Sequence, residues 1–199
     1  LKALPQGAVA HLQLNDLLGG LESIEKIILP AVPEQMLPPD ARQLLQMDHP
    51  LLTVLGGQRF QAPLNEATIA QHLGLDARSP VSLTLYPGDP RRLWILGIPM
   101  ANREVLAPVL TGLLAPTEVE EVTLGDKTAV RIVPSLNENI SEVYLVCSEA
   151  TAFLCGGRSM AVALHSMPTA ERLDQDTFVS RALPAVEDQL LNLIVNPDW

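Results

Sequence analysis

Aromatic side chains are scarce in this chain: three Phe, two Tyr and two Trp make up 4% of its 199 residues. Recognition of nucleic-acid bases by stacking draws on several rings presented together, and so small a stock gives such a platform no support. Lysine is almost as rare, at positions 2, 26 and 127 only, and the formal net charge is -10. With no Lys/Arg excess to displace counterions from phosphates, nucleic acid is ruled out as a partner. Long apolar runs are missing too. Crossing a bilayer as a helix takes about 18 or more consecutive apolar residues. The longest candidates, Leu106 to Leu114 and Leu190 to Val195, are short and interrupted by Pro, Thr, Gly or Asn. No membrane-spanning segment is therefore expected within these residues. A membrane tether or signal preceding Leu1 is compatible with that reading.

What the chain has in quantity is core material. Hydrophobic residues reach 47% and charged residues only 18%, which argues against disorder and for a well-buried globular fold. Between Pro80 and Arg158 the pattern is that of strands. Val81, Leu83 and Leu85 alternate with Ser82, Thr84 and Tyr86, and Leu93 to Ile98 is a nearly unbroken apolar run suited to a strand covered on both faces. Pro87-Gly88-Asp89-Pro90 turns the first of these back antiparallel onto the second. Asn102 caps a helix with Val105, Leu106, Val109, Leu110, Leu113 and Leu114 on one broad face, interrupted by Pro108. Val119 to Leu124 and Thr128 to Val133 flank Gly125-Asp126-Lys127, a hairpin signal. Glu142 to Cys147 and Thr151 to Cys155 make the next pair, completing an antiparallel meander.

Outside that stretch the reading is mostly helical. Ala8 to Leu14 forms a strand with Val9 and His11 on one face, and Asp16 caps a helix whose stripe is Leu17, Leu18, Leu21, Ile24 and Ile28. Asp40 caps another helix, Gly56-Gly57 marks a break, and Asn65 caps a short helix ending at Gly74. Asp176 caps a helix to Leu183, and Pro184 either kinks it or begins a second helix through Val186, Leu190, Leu191 and Ile194. The expectation is a single α+β domain over 1–199: a mostly antiparallel sheet with a C-terminal meander and helices chiefly on one face. Two sub-halves are discernible within it, 1–79 mainly helical with one strand and 80–199 rich in sheet.

Few residues point to chemistry. His11, His49, His72 and His165 are scattered without the spacing of metal ligands, so no metal or cofactor is expected. There is no G-x-S-x-G, and Cys147 and Cys155 lie in apolar strand contexts that raise a thiol pKa, so no catalytic residue is assigned. The two cysteines pair as a disulfide if the loop between them centres near Thr151; with a two-residue turn at Glu149-Ala150, Cys147 faces Ala152 and both remain apolar thiols. Gly156-Gly157-Arg158-Ser159 joins a strand to the helix Ser159 to His165 and is a candidate anion-binding turn, although paired glycines at a strand end also serve as a plain tight turn. Glu118, Glu120 and Glu121 read as a solvated strand edge that discourages pairing with other edges.

The order of elements resembles an uncharacterised family of bacterial extracytoplasmic proteins. The likeness rests on the Leu4-Pro5 opening before a strand through Leu14 and a helix from Asp16 to Leu29, on the Tyr-containing strand, Gly-bearing turn and helix from Glu142 to Leu164, and on a phrase formed by Leu173, Asp176 and Phe178. It implies a periplasmic, secreted or membrane-tethered domain with no catalytic residues to carry over. The functional expectation is a non-catalytic binding or structural module whose partner is an unknown protein. Two alternatives stand beside it: a carrier of an apolar ligand such as a lipid, held between the sheet and the helix from Val105 to Leu114, and a hydrolase with an unrecognised site, to be tested by substitution of His165 or Arg158.

Overall fold

A computed structural model of the chain describes residues 7–31, 47, 49–89, 91–125, 127–135, 142–166 and 190–195. The Leu4-Pro5 opening, the helices expected after Asp40 and Asp176, and the phrase Leu173, Asp176 and Phe178 lie outside them. Eight strands form one antiparallel sheet: β1 (Ala10–Leu14), β2 (Val81–Leu85), β3 (Trp94–Pro99), β4 (Pro116–Leu124), β5 (Lys127–Pro134), β6 (Val143–Cys147), β7 (Thr151–Cys155) and β8 (Leu191–Val195). Their order across the sheet is β4-β5-β6-β7-β3-β2-β1-β8. The α+β class and the antiparallel meander are as the sequence predicts. β1, from the helical first part of the chain, is inserted between β2 and β8.

Each expected turn sets a register. The hairpin at Gly125 places Leu124 opposite Lys127 and hence Glu120 opposite Arg131. The β6–β7 turn is the two-residue form, since Cys147 lies across from Ala152, while Cys155 lies across from Tyr144. The two sulfurs therefore project from opposite faces of the sheet, and both thiols are free. The disulfide is thus not formed, for a reason of register.

Five helices accompany the sheet among the described residues: α1 (Leu17–Ile28), α2 (Pro50–Phe60), α3 (Glu66–Leu73), α4 (Arg103–Leu113) and α5 (Arg158–Ser166). Caps fix several of their ends. Asp16 accepts a hydrogen bond from Gly19 N at 2.7 Å, Asn65 from Thr68 N at 2.9 Å and Asn102 from Glu104 N at 3.0 Å. α2 has no side-chain cap of its own. The buried Glu25 of α1 supplies one instead, its Oε2 accepting from Leu51 N at 2.9 Å and Leu52 N at 3.2 Å, with Oε1 3.3 Å from His49 Nδ1.

α4 and α5 pack against opposite faces of the sheet. Ala161 of α5 joins Ile95, Leu124, Tyr144, Val146, Phe153 and Cys155 in a core on the first face, with Met160 and Leu164 packed against it. Leu106 and Leu110 of α4 join Ile98, Ile132, Val143, Leu145, Ala152 and Leu154 in a second core on the opposite face. The division between the two cores follows from period 2: Tyr144 and Val146 point one way, Val143 and Leu145 the other. α1, α2 and α3 meet in a third, smaller core of Leu18, Leu52, Ile69 and Ala77.

Two expectations are corrected. Leu191 to Val195 is a strand, not a helix. Gly56-Gly57 does not break the chain either, because α2 continues through both residues. A Cβ at Gly56 would collide with the backbone of Ala62 and Leu64 where the chain returns, so this glycine is there for close approach.

Candidate functional site

Cross-strand pairing lines up one row of side chains on the α5 face: Glu120, Arg131, Tyr144, Cys155, Ile95, Thr84, His11 and Ile194, one from each strand. At the β4 end this row is charged. Arg131 Nε donates to Glu142 Oε2 at 3.0 Å, and Nη1 lies 3.2 Å from Glu118 Oε1 and 3.5 Å from Glu120 Oε2. Glu118 and Glu120 reach it because alternate residues of β4 share a face; Glu121 points the other way. The acidic run is thus an edge strand, as expected, with two of its three carboxylates tied to an arginine.

Arg131, Tyr144, Glu120, Glu142, Val122 and Arg158 line a groove of about 410 Å³. A neighbouring hollow of about 270 Å³ is lined by Arg92, Glu142, Gly157, Arg158 and Ser159. Burial, followed by the Glu142 carboxylate, pushes the Tyr144 phenol above its ordinary 10.0. The hydrogen bond to Glu142 holds the pKa of the Arg131 guanidinium above its ordinary value. Both shifts lead away from neutrality, so near pH 7 the phenol keeps its proton and the guanidinium its charge. A general acid or base works best with a pKa near the working pH, and these two groups are displaced in the unhelpful direction.

The candidate anion-binding turn is drawn into this region: Arg158 and Ser159 open α5 and line the smaller hollow with Arg92. Its glycines also have packing duties. A Cβ at Gly156 would collide with the Trp94 indole, and Gly157 takes a φ of +134°. Arg92, Arg131, Glu142 and Tyr144 are site residues that composition and motif did not single out. For Arg131 a signal was present, since the Gly125 hairpin already fixes its register against Glu120.

The other reactive groups stay apart. Burial pushes the Cys155 thiol up to about 12 and also raises Cys147. His11 is buried with Nδ1 2.8 Å from Thr84 Oγ1, and His72 stacks on Phe60 with ring centroids 5.1 Å apart. Among the described residues no three His, Cys, Asp or Glu side chains are grouped to hold a metal ion. No described helix is long and apolar enough to cross a membrane.

The α4 side of the sheet offers a different surface. α4 covers the half made of β5, β6, β7 and β3, where Leu106 and Leu110 fill the space against Ile98, Leu145 and Leu154. Beyond β3 the same face continues through β2, β1 and β8, and there its side chains are open: Leu85, Leu12, Leu191, Leu193 and Val195 are 36 to 64% exposed. β8 is also a sheet edge with the charge-free sequence Leu-Asn-Leu-Ile-Val, in contrast to the glutamate-bearing edge at β4. Comparison of the chain with protein-family models, with curated proteins and with solved structures finds no match in any of the three.

Proposed function

We propose that this chain is a non-catalytic extracytoplasmic module whose work is to bind a partner through the open half of its sheet. The observation that carries this reading is the apolar face of β2, β1 and β8. Among the described residues it stands uncovered, whereas the central strands β6 and β7 are buried on both faces. Contiguous apolar surface of this kind marks interaction sites more often than accident, whereas single exposed leucines need no explanation. The charged groove supports the same reading from the other side. Arg131 is held in ion pairs by Glu118, Glu120 and Glu142, and the shifts at Tyr144 and Arg131 suit fixed recognition more than proton transfer. An extracytoplasmic setting is supported by the resemblance in element order to a family of bacterial extracytoplasmic proteins.

A screen of the purified chain against generic ester, phosphate-ester and peptide substrates is expected to give no turnover above background. Turnover that disappears in Arg158→Ala or His165→Ala would overturn the non-catalytic reading in favour of a hydrolase. Fractionation of cells producing the full-length gene product is expected to place it outside the cytoplasm.

A further inference from the structure

α1 carries more apolar surface than the chain uses. Leu18 and Glu25 are buried, but Ile24, Ile27 and Ile28 are 48, 74 and 46% exposed. At spacings of three and four residues these isoleucines form a stripe along one side of the helix. Among the described residues the stripe is an unpartnered helix face. The open half of the sheet is likewise a sheet face on which no described helix packs as α4 does on the other half.

The two are matched in size. Three strands spaced about 4.8 Å apart make a strip roughly 14 Å wide, and five residues of strand extend about 17 Å. A helix with its side chains is about 10 to 12 Å across, and the twelve residues of α1 span about 18 Å. They are matched in chemistry as well, since neither the isoleucine stripe nor the side chains of Leu85, Leu12, Leu191, Leu193 and Val195 bring a charge that would have to be desolvated.

We infer that the partner of the open sheet face is a second copy of this chain, whose α1 lays Ile24, Ile27 and Ile28 across β2, β1 and β8 beside α4. This rests on the binding role proposed above and names its occupant. Each copy offers one helix stripe and one bare strip, so a two-fold pair uses both twice; if the rotation does not close, the same contact propagates into larger assemblies.

The test is sedimentation of the purified chain from roughly 5 to 500 µM, a range that brackets micromolar association. Mass is expected to rise with concentration. Ile27→Glu and Leu193→Glu should each weaken that association at least tenfold, and matched thermal melts, with Ile27→Gln and Leu193→Asn as milder versions, separate a lost contact from a lost fold. An equimolar mixture of the two Glu variants should associate more strongly than either alone, because the intact sheet of the first can receive the intact helix of the second. A parent chain that stays monomeric throughout overturns the inference, and it does so equally if the monomer floats with phosphatidylcholine vesicles, which would leave the binding role standing with another occupant. Association indifferent to both substitutions, or a mixture with no recovery, which would mean that like surfaces pack with like, also overturns it.

Discussion

His11 is the residue at which burial and titration meet. It lies in the central row of the sheet, 1% exposed, with Thr84 Oγ1 at 2.8 Å and the Gln13 amide oxygen at 3.4 Å from its two ring nitrogens. Desolvation holds its pKa below the ordinary 6.5. The unfolded chain therefore binds a proton here before the folded one does. The stability associated with a neutral His11 is complete above about pH 6.5 and is lost as pH falls from there towards the folded pKa. Urea denaturation between about pH 7.5 and 5 should show this decline, and His11→Gln should flatten it by removing the group; an unchanged slope in the variant would assign the decline to other residues. The same neighbourhood shows what single residues disclose in advance. That Val9 and His11 share a face is plain from alternation, but that Thr84 would stand beside His11 depends on a pairing across 73 positions, which no local pattern encodes.

At the scale of elements, helix and strand ends signalled by nearby residues were readable: Asp16, Asn65 and Asn102 cap as expected, Gly74 ends α3, and Gly125 sets the β4–β5 hairpin. The exceptions have local causes. Leu190, Leu191 and Ile194 fit helical spacing as well as Leu191, Leu193 and Val195 fit a strand, because a short apolar run satisfies both periods. The stripe of α1 was legible as apolar, but that Leu18 is buried while Ile24 and Ile28 face outward was not, since a helix with apolar residues on two sides does not announce which one is buried. The groove was legible in part. Glu120 and Arg158 stood out as residues, whereas the groove they share with Arg131 and Glu142 required the register. The Glu25 cap of α2 was hidden entirely, being supplied from 26 positions away. Its removal has a definite expectation. Glu25→Ala leaves two backbone N–H groups of α2 without their carboxylate partner and should lower stability by about 2 kcal/mol, with Glu25→Gln losing less. Denaturant titration would measure both, and an Ala variant as stable as the parent would deny Glu25 its capping role.

For the molecule as a whole, charge and contact work against each other. A net charge of -10 on each copy opposes the approach of a second, while the proposed meeting surfaces are apolar. Added salt should therefore tighten self-association, because it screens the repulsion between copies and breaks no ion pair at the contact. Sedimentation at about 50 and 500 mM NaCl would check this, and weaker association at the higher concentration would point to charged groups at the interface instead.

The place of β1 carries a consequence for how the chain reaches this arrangement. Because residues 10–14 are hydrogen-bonded on one side to residues 81–85 and on the other to residues 191–195, the first of the described strands to be synthesised waits for the last of them before its second edge is satisfied. Pairings so distant along the chain raise contact order and slow folding. Until that closing strand arrives, β1 stands as an open template, the moment at which a nascent copy is most exposed to a wrong neighbour.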